Sequence, residues 1–75
     1  MARYTWATAG KWTTVHRDGE PTGVLIEFYR VVGGPYGGEI TRNLPLARGM
    51  ASLGGRVEAV GYGARCPIPK HDPDA

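Results

Sequence analysis

Residues 23–32 read GVLIEFYRVV, the longest apolar run in the chain. Seven of these ten residues are apolar or aromatic, and most are β-branched or aromatic. Such side chains fit a pleated surface better than a helix. Gly23 precedes the run and Gly33 and Gly34 follow it, so its length and its boundaries both favour a strand. Strict alternation places Val24, Ile26, Phe28, Arg30 and Val32 on one face. Leu25, Glu27, Tyr29 and Val31 then fall on the other. The first set predicts the core face. The second is too apolar for a face that only meets water, so Leu25, Tyr29 and Val31 are the expected contacts of a dimer interface.

Working outward, the flanking sequence predicts further strands. Residues 11–17, KWTTVHR, are rich in β formers, and residues 3–8 alternate in the same way. The segment DGEPT at 18–22 is a turn by composition and joins residues 11–17 to the central run as an antiparallel hairpin. GGPYGG at 33–38 is a loop, and residues 39–42 form a short extended piece. From Leu44 the period changes. Leu46, Met50 and Leu53 recur at i, i+4 and i+7 with Ala47 beside them, which predicts one apolar stripe of a short helix. Pro45 suits a first turn, Asn43 or Thr41 can cap it, and Gly54 with Gly55 can stop it. Residues 56–62, RVEAVGY, return to a strand. The expected fold is α+β: a small antiparallel sheet of three or four strands with one short helix packed on one face, in the order β-β-β-α-β. Residues 1–63 make the single compact domain, and the Pro-rich residues 64–75 a flexible C-terminal tail.

The run LARGMASLGGRVEAV at 46–60, with GGPYGG before it, resembles the helix-to-strand half of peptidoglycan-binding SPOR domains. Those domains carry a second helix that this sequence lacks, and the likeness covers under half the chain. It contributes no expectation about function.

Size bounds what such a fold can do. Seventy-five residues make one domain that buries only about 60% of its unfolded surface. Chains this small draw support from disulfides, a metal or association. Cys66 is the lone cysteine, which excludes an internal disulfide framework and suits a reducing, cytoplasmic setting. One cysteine with His16 and His71 is too few for a structural zinc site. No segment is long enough to span a membrane, and the N-terminus lacks a secretory h-region. Self-association is the support that remains.

Candidate chemistry is sparse. His16, Arg17 and Asp18 spell a kinase catalytic tripeptide, but at a strand end in a chain far too short for that fold. The glycines at 33–38 could present amides to an anion, yet no Lys-Ser or Lys-Thr follows them. No nucleophile–base pair or carboxylate pair stands out. The expectation is therefore a protein with no enzymatic activity, no cofactor and no metal. It would act by binding another protein, as a homodimer, in the manner of the small accessory or inhibitor factors that phages and mobile elements encode. Tyr36 at the loop tip and Arg42, Arg48 and Arg56 around the helix are the expected partner-binding residues. Two alternatives stand beside it. One is an Arg-rich nucleic-acid-binding module, adding Arg17 and Arg30 to that set, since seven of the nine basic residues are Arg. The other is an oligomer holding a small anionic ligand at the glycine loop. A net charge of only +2 gives a weak field for either.

Overall fold

Every strand of the sheet is antiparallel to its neighbours, as short turns between successive β-forming segments require. The computed structural model describes residues 2–63, 68–69 and 71–73. Its elements are β1 (Tyr4–Ala9), β2 (Trp12–Arg17), β3 (Glu20–Val32), β4 (Ile40–Thr41), α1 (Leu44–Ala51) and β5 (Arg56–Tyr62). This is the expected α+β class with one helix. The sheet has five strands because the short piece after the glycine loop pairs with Tyr29 and Arg30 as β4. β5 runs beside β3 from Leu25 to Val32, so β2 and β4 share the other flank of β3.

The turn before β3 is tighter than its composition suggests. Asp18 (φ 50) and Gly19 (φ 85) alone turn the chain, and Arg17 already pairs with Glu20. Two positive-φ residues give the twist that antiparallel strands prefer, which is why Asp-Gly is such a strong hairpin signal. Pro21 and Thr22 therefore belong to a thirteen-residue strand.

That strand does not keep strict alternation, and this overturns the expected core face. Ile26 pairs with Gly61 and Phe28 with Val60, so β3 advances two residues while β5 advances one. Glu27 is the extra residue of a β-bulge, and a bulge reverses the facing of everything beyond it. Val24 and Ile26 before it, and Tyr29 and Val31 after it, are all buried on one side. A second irregularity lies opposite Val15, where β3 carries Thr22, Gly23 and Val24. There the Thr22 hydroxyl donates to the Val15 carbonyl at 2.7 Å and accepts from the Val24 amide at 3.2 Å, standing in for ladder bonds.

Helix α1 packs on this buried side. Asn43 Oδ1 accepts from the Leu46 amide at 3.0 Å, closing the N-terminus as its residue type predicts. The buried stripe, however, is Leu44, Ala47 and Ala51. Leu46 is 52% exposed and Leu53 62%, while Met50 lies at the margin of the core. Both ends of the helix are tied close to the sheet. Thr41 is paired with Tyr29 at the start. At the exit, Gly34 and Gly54 meet backbone to backbone, so that a Cβ on Gly34 would overlap the Gly54 carbonyl. The side packed on the sheet thus carries Leu44 and two alanines, and Leu46 is turned outward.

The tail also departs from expectation. Ile68 packs against the core, the Asp72 amide donates to the Val57 carbonyl at 3.1 Å, and His71 bridges Glu58. The Asp72 side chain has no exposed surface and forms an ion pair with Arg48 of α1. These described residues are docked, not loose. Cys66 lies outside the described residues. The shortest principal dimension of the molecule is 18 Å, which fits two layers, a sheet and a helix, and no second helix among the described residues packs on the far side of the sheet.

Candidate functional site: the outer face of the sheet

The bulge decides which side chains reach the bare side. Leu25 lies there, paired with Thr14 of β2. Beyond Glu27 the same side is taken up by Phe28, Arg30 and Val32. Their cross-strand neighbours share that face: Val60 opposite Phe28, Ile40 and Glu58 on either flank of Arg30, and Arg56 opposite Val32. Leu25, Phe28, Val32 and Val60 are half-buried by one another, and Ile40 is 58% exposed. An apolar band thus crosses three strands with nothing among the described residues packed over it.

A charged group borders this band. Arg30 Nη2 donates to Glu58 Oε1, and Arg56 Nη1 lies 3.5 Å from Glu58 Oε2. The two guanidiniums are about half exposed, so these pairs add little stability. With Glu27 they leave the face formally neutral: two carboxylates and two guanidiniums on a chain whose net charge is +2.

Of the expected interface residues, only Leu25 is on this face. Tyr29 and Val31 are core residues, 2% and 0% exposed, because the bulge turns them under α1. The Tyr29 ring lies 6.0 Å from that of Trp6, and its hydroxyl donates to Thr13 Oγ1 at 2.6 Å. Thr13 Oγ1 lies 2.9 Å from Thr8 Oγ1, so a chain of three hydroxyls runs from buried Tyr29 and Thr13 out to exposed Thr8. Burial pushes the Tyr29 phenol above its ordinary pKa, because the phenolate would lose its water. Trp6 Nε1 is also buried, with no hydrogen-bond partner among the described residues.

The expected partner-binding residues go to separate places. Tyr36 is 43% exposed at the tip of the glycine loop. Arg42 is exposed between β4 and α1. Arg48 reaches the carboxylate of Asp72, whereas Arg56 shares Glu58 with Arg30 on the outer sheet face. The glycine loop uses its amides internally: Gly37 N donates to Gly34 O, Gly38 N to Val31 O and Glu39 N to Tyr36 O. Its glycines answer to the backbone contact with Gly54 and Gly55, where a Cβ on Gly55 would sit 2.6 Å from the Gly33 carbonyl. Asp18, of the His16-Arg17-Asp18 tripeptide, accepts from the Arg3 amide at 2.9 Å. Among the described residues no group of three or more His, Cys, Asp or Glu is placed to hold a metal ion, and no helix is long and apolar enough to cross a membrane.

Sequence reasoning missed Phe28, Val32 and Ile40. The one available signal was a carboxylate, Glu27, inside the longest apolar run. Comparison with family models, curated proteins and solved structures finds no match to this chain.

Proposed function

We propose that this chain is a non-enzymatic interaction protein, of accessory or inhibitor type, that acts by occupying a surface on another protein. In this reading it pairs with a second copy of itself through the outer face of the sheet. The observation that carries the reading is the apolar band of Leu25, Phe28, Val32, Val60 and Ile40 on the side that α1 does not cover. Contiguous apolar surface of this kind marks an interface on a soluble chain. The long dimensions, 35 × 28 Å, accommodate the standard interface of about 800 Å² per partner. The neutral border suits a second copy, since a two-fold arrangement brings no excess of like charge together.

Sedimentation of the wild type against Phe28→Asp tests this. Phe28 is outside the core, so the variant is expected to keep its circular dichroism and to sediment as a monomer where the wild type is a dimer. A wild type that stays monomeric at tens of micromolar, or a Phe28→Asp protein that stays dimeric, refutes the assignment. The nucleic-acid alternative is examined by gel shift at two ionic strengths, where binding that falls steeply with salt would favour it.

A further inference from the structure

The sheet is not the only apolar surface left bare. Leu46, on the side of α1 turned away from the sheet, and Leu53, in the turn just past the Ser52 cap, are with Ile40 the most exposed large aliphatic side chains among the described residues. Between them in the chain is Gly49, which is exposed on the helix. A glycine inside a helix costs about 0.5–1 kcal/mol relative to alanine, and nothing among the described residues requires one here. A Cβ at Gly49 would meet nothing within 4 Å, and its φ is not in the left-handed region. The absent side chain leaves room above the helix backbone, the feature by which small residues let two helices approach closely.

Charge then separates the candidate occupants. Residues 40–57 contain no Asp or Glu, but they hold Arg42, Arg48 and Arg56. Arg48 is matched by Asp72 on the opposite flank of the helix. Arg42 is exposed beside the helix start, with no acidic residue in the first turn. A second copy would bring one carboxylate-free segment against another, with Arg42 adding to Arg42. A nucleic acid would leave Leu46 and Leu53 unmatched. An amphipathic helix with an apolar stripe and acidic borders satisfies both the leucines and the arginine.

We infer that the outer side of α1 at Leu46 and Gly49, continued by Leu53 just past its end and with Arg42 before its start, receives an acidic amphipathic helix of a partner protein, packed closely across Gly49. This deepens the reading of the chain as an interaction protein by naming the class of partner. It uses a different surface from the one assigned to self-association.

The probe is a labelled synthetic amphipathic helix built from leucine and glutamate, with an isomer carrying lysine at the glutamate positions. Binding is followed by fluorescence anisotropy against the full chain and Gly49→Leu. That substitution favours the helix and meets no intramolecular obstacle, so its melting temperature is expected to match or exceed the wild type's. The glutamate peptide is expected to bind the wild type and to lose about tenfold or more in affinity on Gly49→Leu, as when a central interface residue is changed. The lysine isomer is expected to bind more weakly than the glutamate peptide. The inference is overturned if the glutamate peptide does not bind, if both isomers bind equally, or if Gly49→Leu leaves binding unchanged. It is also overturned if Gly49→Leu shifts only the sedimentation of the protein alone, which would assign the surface to a second copy. The Phe28→Asp sedimentation result concerns the sheet face only, so the two readings fail separately.

Discussion

The docking of the tail on the helix turns on one ion pair, and the pair is asymmetric in a way that experiment can read. Arg48 Nη2 donates to Asp72 Oδ1 at 2.8 Å and Arg48 Nε donates to Asp72 Oδ2. The Asp72 side chain has no exposed surface, whereas that of Arg48 keeps 38%. Replacing Arg48 by Met leaves a carboxylate buried without its guanidinium, the case in which breaking an ion pair costs about 3–5 kcal/mol. Replacing Asp72 by Asn leaves a guanidinium that still reaches water, and the loss is about 1–2 kcal/mol. A chain of 75 residues has a total stability of about 4–11 kcal/mol. Arg48→Met thus removes a large share of the whole. Urea denaturation followed by the fluorescence of Trp6 and Trp12, at fixed protein concentration, measures both variants. With a slope of about 1 kcal/mol per molar urea, the midpoint falls by roughly 3–5 M for Arg48→Met and by about 1–2 M for Asp72→Asn. The double variant, with both members of this pair neutral, should be more stable than Arg48→Met alone. If both single variants cost the same and under about 0.5 kcal/mol, the range of ordinary surface changes, the tail is not docked as described and the reasoning fails.

Three further substitutions test other contacts in the fold. Tyr29→Phe removes the hydroxyl that bonds Thr13 while Thr13 keeps Thr8, so the expected loss is about 1 kcal/mol. Because the folded-state pKa of Tyr29 is raised above 10.0, its contribution is complete below pH 10. It is lost as the pH rises through the folded value, since the unfolded chain ionises first. A stability titration from neutral to alkaline pH should therefore fall less steeply for Tyr29→Phe than for the wild type, and equal slopes would contradict the burial of the phenol. Leu44→Ala should cost about 2–4 kcal/mol and Leu46→Ala under about 0.5 kcal/mol, because Leu44 is 8% exposed and Leu46 52%. The reverse order in thermal melts would restore the stripe that periodicity alone suggests.

What could be read from the residues was local chemistry. β-branching marked the strands, Asp18-Gly19 the hairpin, and Asn43 the start of the helix, because each depends on neighbours a few positions away. What could not be read depends on distant parts. The bulge at Glu27 is a property of the pairing with β5. There Gly61 lies so close to the Leu25 carbonyl and Ile26 that no other residue fits without a shift. The rotation of α1 follows from two anchors, Thr41 on Tyr29 and Gly54 on Gly34, which override the Leu46–Met50–Leu53 period. The docked tail depends on a charge pair between residues 24 positions apart, which composition reads only as a proline-rich end. At the candidate site, Leu25 was legible because it precedes the bulge, while Tyr29 and Val31 were misplaced because they follow it.

An extended chain stores a binary choice at each residue, up or down, and each choice is inherited from the one before. Glu27 inverts that inheritance once, so the two halves of β3 obey opposite parities. Exchanging the residue at this place leaves the inversion intact, and deleting it would close the bulge with Tyr29 and Val31 still inward and Phe28 and Arg30 still outward; only flattening the bulge with Glu27 in place would send Tyr29 and Val31 out. At this point in the chain the fold reads a count, and the identity of the amino acid is secondary.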